Sequence, residues 1–205
     1  MGTDISGYIE CERDYRVDFA AAGSFWHPAM DLDHLYDTRD PRAFGCLFGV
    51  GDRSFEPLAS ERGLPSDVSQ RVAWLVEELG GRWPSWISWA EVERVDWDET
   101  APAVDPHIHE YRRRTPEGDW CFHASGGYNS RFEQVSGLNG HEALYPGNHW
   151  PEGTEWADGD RLFRVERLTR RQAVPEVQWS PVWTVMRTLA ARHGAEHVRL
   201  VVWFS

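Results

Sequence analysis

The chain has 205 residues, of which 41% are hydrophobic and 12 are tryptophan, and its formal net charge is -12. This composition is that of a globular protein with a sizeable core, so it excludes a disordered or fibrous chain. No apolar run approaches the roughly 20 residues that cross a bilayer, so we expect no membrane association. We expect one domain over residues 1–205 and, without a secretory signal, a cytoplasmic location.

The basic residues exclude two further classes of protein. All 21 of them are arginine, so Schiff-base chemistry and other lysine-dependent catalysis are excluded. Binding to duplex nucleic acid needs a cationic surface that displaces counterions. The acidic chain offers one short cluster, Arg112 to Arg114, so we expect no general nucleic-acid binding. Three widely spaced cysteines without a C-x-x-C pair predict neither disulfides nor a zinc finger.

The opening MGTDISGYIECE alternates with a period of two, which predicts a half-buried strand. Its polar face carries Asp4, Ser6, Tyr8 and Glu10. Such a face is commonly solvated in an antiparallel sheet. Alternatively it lines a cleft, in which Asp4 is a catalytic carboxylate and Ser6 and Tyr8 contact a ligand.

Three segments follow before the middle of the chain. The apolar run from Arg42 to Val50 is compatible with either a helix or a strand. Apolar spacing predicts a helix over Asp67–Leu79, with Ser66 as N-cap and Gly80 and Gly81 as its stop signal. Ser88 lies three residues before Glu91, which is the spacing of a capping box and predicts a short helix that ends near Val95.

The segments HIHEYRRR and DWCFHAS, joined by TPEG, predict a β-hairpin with a type I turn. The expected register places Tyr111 opposite Phe122, and Glu110 opposite His123. A carboxylate beside an imidazole fixes its tautomer and raises its pKa, so Glu110 and His123 are candidate acid–base groups. The same pair is also an ordinary stabilising contact of a sheet.

His107 and His109 alternate along the first hairpin strand, and Asp105 falls on the same face as His107. Alternate side chains of a strand point the same way, so these two imidazoles could share a divalent metal, the candidate cofactor, or act as acid–base groups. A third histidine at the spacing of cupin-type sites is missing. The alternative is a pair of partly exposed histidines on a hairpin.

From Gly126 to Gly159 the chain is rich in glycine, asparagine and proline, which predicts a long irregular loop. Polar and aromatic groups on such a loop suit a ligand lid, with Arg131 as an anion anchor and Tyr128 and Trp150 as contacts. The loop has no Walker spacing, and the chain has no G-x-S-x-G motif.

The last third of the chain predicts a strand over Arg161–Leu168, a helix and a final strand. Arg164 and Glu166 share one face of the first strand, as an internal ion pair or as a substrate-binding arginine with its orienting carboxylate. Ser180 and Pro181 are typical of a helix start, and Gly194 of its end. The apolar HVRLVVWF predicts a central strand. Strands and helices mix without a βαβ rhythm, which indicates an α+β fold. We expect a mainly antiparallel sheet that contains the N- and C-terminal strands, with two main helices packed on it and long polar loops.

Four segments, MGTDISGYIE, RGLPSDVS, SWISWAE and VERLTRRQAVPE with VRLVVWF, carry a resemblance to a family of small proteins. The chain resembles proteins of actinobacteria and their phages that typically begin M-G-T-D-I-H-G or M-G-C-D-I-H. No activity is assigned to that family, so the resemblance implies a context and not a chemistry. Ser6 stands where the family pattern has histidine, and any role of that histidine is altered here.

Two functional hypotheses follow. The first is a small enzyme that acts on a polar small molecule in a cleft lined by the sheet. Its catalytic groups are Asp4, His107, His109, Glu110 and His123, and its substrate contacts are Ser6, Tyr8, Tyr128, Arg131, Trp150 and Arg164. The second is a non-catalytic binding protein, for instance a phage-associated modulator of a host protein, which uses exposed tryptophans as interface anchors.

Overall fold

The computed structural model describes residues 2–15, 23–115 and 117–205. Its strands are β1 (Ile5–Tyr15), β2 (Gly23–Asp31), β3 (Arg82–Ser88), β4 (Thr100–Val104), β5 (His109–Arg112), β6 (Cys121–Ser125), β7 (Glu155–Asp158), β8 (Arg161–Arg164), β9 (Arg167–Thr169) and β10 (Val198–Phe204). Its helices are α1 (Pro41–Phe48), α2 (Gln70–Glu78), α3 (Trp89–Val92), α4 (Ser130–Ser136), α5 (Gly140–Leu144), α6 (Arg170–Ala173) and α7 (Glu176–His193). Strand pairing is antiparallel throughout the described sheets, which confirms the α+β prediction.

The chain forms two compact units, and the second is inserted in the sequence of the first. The first unit consists of residues 1–98 and 170–205, and the second of residues 99–169. The single domain over residues 1–205 stays a prediction. No helix among the described residues has both the length and the apolar character needed to cross a membrane.

The first unit is built on a four-stranded sheet in the order β2-β1-β10-β3. The N- and C-terminal strands are neighbours, as predicted, with Ile5 opposite Phe204 and Tyr8 opposite Val201. All seven residues of β10 are buried, because this strand lies inside the sheet and both of its faces are covered.

Different helices cover the two faces of this sheet. On one face, Val72 and Val76 of α2 pack with Val201 and Trp203, and Tyr8 joins the cluster. On the other, Phe204 contacts Phe44 and Phe48 of α1, with ring centroids 5.5 and 6.1 Å apart. The polar face of β1 is therefore packed beneath α2 in the part that carries Tyr8.

Capping residues define several helix starts. Ser88 and Glu91 form the predicted capping box of α3, although this helix ends at Val92 and not near Val95. The N-cap of α2 is Ser69, whose hydroxyl accepts from the backbone N–H of Val72, so the prediction of Ser66 was wrong. The apolar run after Asp40 is helix α1, because Asp40 caps it and proline occupies its first position.

Two sequence predictions failed at prolines. Helix α7 begins at Glu176, and Pro181 lies inside it. An interior proline costs a helix about 3 kcal/mol. The fully buried indole of Trp179, on the N-terminal side of that proline, offsets the cost by packing. Strand β3 was not predicted. It contains Pro84, and this proline is tolerated because β3 is an edge strand.

The second unit contains a four-stranded sheet, β6-β5-β8-β7, and the pair β4-β9. Its core includes Ile108, Phe132, Ala143, Phe163 and Val165. The predicted loop from Gly126 to Gly159 was wrong, because it contains α4, α5 and β7. The predicted strand over Arg161–Leu168 is likewise divided into β8 and β9.

Candidate active site

Two histidines of the second unit meet at one buried carboxylate. The side chain of Asp105, directly after β4, is 4% exposed. Its Oδ1 accepts from the backbone N–H of His107 at 2.9 Å and lies 3.1 Å from Nδ1 of the same residue. Its Oδ2 lies 2.9 Å from His109 Nε2 and accepts from the Ser125 hydroxyl at 3.0 Å. Asp105 therefore fixes both imidazole rings.

His109 is held between two carboxylates. Its side chain is 0% exposed, and its Nδ1 lies 2.9 Å from Glu166 Oε1 in an ion-pair contact that is off the line of a well-formed hydrogen bond. Burial lowers the pKa of His109, but the contacts with Asp105 and Glu166 outweigh it, and the pKa lies above its ordinary value. Below its raised native pKa, His109 is an imidazolium that cross-links the two acids, and neither of its ring nitrogens is placed to act as a base.

Glu166 lies between β8 and β9, where its backbone C=O accepts from the Asp105 N–H at 3.0 Å. Its carboxylate also accepts a hydrogen bond from the Tyr111 hydroxyl. Burial raises the pKa of Glu166, but the contacts with His109 and Tyr111 hold it below its ordinary value. The carboxylate is therefore ionised opposite the His109 cation.

Arg164 is engaged by the protein's own acids. Its Nε donates to Glu155 at 2.7 Å, and its Nη1 lies 3.6 Å from Glu166. Its guanidinium also lies 5.3 Å from the centroid of the Tyr111 ring. These contacts correspond to the internal ion pair considered from the sequence. Because Glu155 and Glu166 already engage the guanidinium, its contacts give no support to a role as a substrate anchor.

His107 is the imidazole of this network that reaches the surface, with 24% of its side chain exposed. Because Nδ1 faces Asp105, the other ring nitrogen, Nε2, points away from the carboxylate. The ring lies 5.3 Å from that of Tyr145, which lies 4.9 Å from His141. A partly exposed imidazole oriented by a buried carboxylate can accept and return a proton.

A close backbone approach holds the segment after α5 beside His107. The N–H of Gly147 donates to the carbonyl of Pro106 at 3.0 Å. A Cβ at position 147 would lie 2.0 Å from the carbonyl oxygen of Asp105, so only glycine fits there. This contact positions Tyr145 against the His107 ring.

The predicted pairing of Glu110 with His123 was wrong. Tyr111 lies opposite Phe122, as predicted, but Glu110 lies opposite Ala124. A β-bulge makes His123 the extra residue of β6, which leaves it exposed and outside the ladder. In the turn, Gly118 N–H donates to Thr115 C=O at 3.0 Å, and Pro116 lies outside the described residues.

Glu110 belongs to a separate polar cluster on the opposite face of β5. Its carboxylate accepts from Arg112 at 2.7 Å and from Asn129 at 2.9 Å, and it lies 3.3 Å from Arg161. Burial raises the pKa of Glu110, but these contacts bring it below its ordinary value. An ionised carboxylate held by two arginines is a structural ion pair, so Glu110 is not placed as an acid–base group.

Three residues that were predicted to line a cleft, Asp4, Ser6 and Tyr8, belong to the first unit, with Asp4 directly before β1 and the other two on it. Asp4 accepts from Arg39 at 2.7 Å, with half of its side chain exposed. Tyr8 is half-buried and stacks on Trp203, with centroids 6.4 Å apart. Ser6 is half-buried. These three residues therefore belong to the first unit, whereas His107 and His109 belong to the second.

The predicted lid residues are also dispersed within the second unit. Arg131 pairs with Asp158, so its charge is already neutralised. Tyr128 is 70% exposed and Trp150 is 41% exposed. Trp150 packs edge-on against Trp156 at 5.7 Å, which is a structural contact.

A second buried charge cluster lies in the first unit. Glu10 of β1 is fully buried and accepts from Arg199 of β10 at 3.0 Å. Arg199 also donates to Asp67 at 2.7 Å, and its guanidinium lies 3.7 Å from the centre of the Trp26 ring. Glu10 further accepts from the backbone N–H of Ser69 at 3.1 Å, which ties the start of α2 to the sheet. Glu10 points into packed protein, so the part of the polar face of β1 that carries it is not solvated.

No group of three or more His, Cys, Asp or Glu side chains in the described part of the chain is placed to hold a metal ion. His107 and His109 do converge, but on the carboxylate of Asp105. The geometry accordingly gives the divalent-metal hypothesis no support.

The exposed tryptophans bear on the hypothesis of a protein-binding surface. Among the described residues, Trp74 and Trp83 are 57% and 58% exposed and lie on α2 and β3 of the first unit. Trp150 belongs to the second unit. Within the first unit, no ring contact between described side chains joins Trp74 and Trp83, so a protein partner stays a prediction.

Comparisons with models of protein families, with curated proteins and with solved structures found no match to this chain. The family resemblance of the four sequence segments therefore also stays a prediction. The assignment of chemistry depends on the geometry of the Asp105 network.

The sequence pointed to His107 and His109 but not to the residues that hold them. Asp105 was noted only for its position on the face of His107, and Glu166 only as a partner of Arg164. Tyr111 and Ser125 were not predicted as site residues. The spacing of Asp105, His107 and His109 was the usable signal, because it places three polar groups two residues apart. Glu166 is 57 positions from His109, and no local pattern links them.

Proposed function

We propose that the protein is a small enzyme that transfers a proton on a polar small molecule, with His107 as its acid–base residue. The observation that supports this proposal is the partly exposed His107 ring, held through Nδ1 by a buried carboxylate. The carboxylate favours the tautomer with hydrogen on Nδ1, and Nε2 is then the atom that accepts a proton from a substrate.

The roles of the neighbouring residues follow from their contacts. Asp105 is a positioning residue, because it acts on a substrate only through His107. His109 contacts both Asp105 and Glu166. This buried ion-pair chain holds Asp105 in place, and with it the ring of His107. Tyr145, against the His107 ring, supplies an aromatic surface beside the acid–base atom.

The test is turnover of pooled polar metabolites, grouped as hydroxy acids, amino acids, sugars and nucleotides, followed by proton NMR. General acid–base groups contribute about 10²- to 10⁴-fold to rate. We expect His107→Gln to lower turnover by at least about 100-fold and Asp105→Asn to lower kcat. His123→Gln, at an exposed histidine outside the network, is the matched control and should keep wild-type turnover. Turnover that survives His107→Gln, or wild-type protein that transforms no pool member, contradicts the proposal.

A further inference from the structure

The first unit contains a cavity of about 330 Å³ with three indole walls. The side chains of Trp89, Trp97 and Trp183 line it, together with Val92 and Val174. Trp183 is the central wall, with ring centroids 6.4 Å from those of Trp89 and Trp97. A concave, mainly apolar pocket of this volume is at the small end of the range of ligand sites.

The rim of this tryptophan pocket carries charges of both signs. Glu93 and Glu176 line it and are exposed. Within the described chain, neither carboxylate has a cation at ion-pair distance. Arg171, also on the rim, is neutralised by Asp98 at 3.1 Å.

Arg187 is the remaining cation of the rim. Its guanidinium lies 5.6 Å from the centre of the Trp89 ring, one helical turn after Trp183 on α7. No described carboxylate lies at ion-pair distance from it. The pocket therefore presents indole walls and two acids that lie outside ion-pair distance of any described cation, although Arg171 interacts with Glu176 at longer range. It also presents one arginine, Arg187, that has no described carboxylate at ion-pair distance.

We propose that this pocket binds a small zwitterion that carries a methylated ammonium group and a carboxylate. Indole faces attract cations, and aromatic cages are the usual receptors of quaternary ammonium groups. The ammonium lies against Trp97 and Trp183, with Glu93 and Glu176 as its counter-charges. The carboxylate pairs with the Arg187 guanidinium, which matches carboxylate geometry. The site lies in the first unit, so the inference does not depend on the function proposed for His107.

The probes are glycine betaine and two analogues, each without one of its charges. Choline keeps the trimethylammonium and lacks the carboxylate, whereas 3,3-dimethylbutyrate keeps the shape and the carboxylate and lacks the cation. Saturation-transfer NMR on the methyl signals and calorimetry give affinities. We expect saturable betaine binding, with both analogues weaker by at least about five-fold, as loss of a cation–π contact or a charged hydrogen bond implies. Absent betaine binding, or equal affinity for either analogue, overturns the proposal.

Variants locate the binding. Trp97→Leu should weaken betaine binding about five-fold or more, whereas Trp74→Leu, at an exposed indole on α2, should not change it. Arg187→Gln should weaken betaine and leave choline unchanged, with Arg192→Gln on the same helix as control. Circular dichroism checks folding, and if Trp97→Leu unfolds, the exposed Arg187→Gln decides. Betaine affinity that is unchanged in Arg187→Gln contradicts the assignment.

Discussion

The buried ion-pair chain of the second unit predicts a large loss of stability in His109→Gln. Removal of one partner from a buried ion pair typically costs about 3–5 kcal/mol, because an uncompensated charge remains. In this variant Asp105 keeps the His107 N–H, the His107 ring and Ser125, and Glu166 keeps Tyr111. We therefore expect the lower end of that range, about 3 kcal/mol.

The pH dependence of this loss follows from the two pKa shifts. The pKa of His109 is raised in the native state, so its stabilisation is complete below the unfolded pKa of about 6.5 and is lost as the pH rises through the native pKa. The pKa of Glu166 is lowered, so its stabilisation is present above about pH 4.3 and is lost in acid. The difference between wild type and His109→Gln should be greatest from about pH 4.5 to 6.5 and should decline at higher pH.

Hydrogen exchange with mass spectrometry measures the opening free energy of peptides within residues 99–169, separately from the first unit. His123→Gln is the control and should stay within about 0.5 kcal/mol of wild type, as an exposed substitution does. A loss below about 1 kcal/mol for His109→Gln at pH 6, or a loss that grows from pH 6 to pH 9, would refute the account of His109 as a buried imidazolium.

Further substitutions test contacts inside each of the two units. Arg199→Met leaves Glu10 buried without its cation and should lower the free energy of unfolding in urea by about 3–5 kcal/mol. Glu10→Leu added to it should restore part of that loss. Full additivity of the two substitutions would contradict a direct ion pair. Ser88→Ala removes the capping-box hydroxyl of α3 and should cost about 1 kcal/mol in the same assay, so an unchanged midpoint would show that the box is not stabilising. Phe132→Ala should cost about 3–5 kcal/mol by hydrogen exchange in residues 99–169, and exchange that is unchanged there would contradict its place in the core.

Local patterns predicted the elements whose stability depends on neighbours in sequence. The capping box of Ser88 and Glu91, the pairing of the two terminal strands and the buried final strand were all confirmed. The capping box and the final strand depend on a cap within four residues or on local apolar character. The pairing of the terminal strands joins the two ends of the chain, and it was expected from the α+β fold and not from a local pattern. The segment after Ser125 was wrongly predicted as loop because its helix signal is short. Asn129 caps α4, and the buried Phe132 supplies tertiary packing that a short helix needs.

The candidate site could be predicted only in part. The hairpin register failed at a single residue, because a bulge at His123 is not encoded by alternation and one extra residue displaces the pair opposite Glu110. The spacing of His107 and His109 identified them as candidate site residues. Each ring faces a carboxylate, which differs from the shared divalent metal considered from the sequence. Glu166 joins them through pairing of β4 with β9, a contact between distant segments that a single sequence does not show.

Nitrogen-15 NMR of the histidine side chains reports whether Asp105 fixes the protonation of both imidazoles. At pH 6.5 we expect His109 to be mainly the cation, with hydrogen on both ring nitrogens, because its pKa lies above its ordinary value. We expect the neutral form of His107 to carry its hydrogen on Nδ1. In Asp105→Asn the preference of His107 for that tautomer should be lost. A mainly neutral His109 at pH 6.5, or a neutral His107 that carries its hydrogen on Nε2 in the wild type, would show that Asp105 does not have this role.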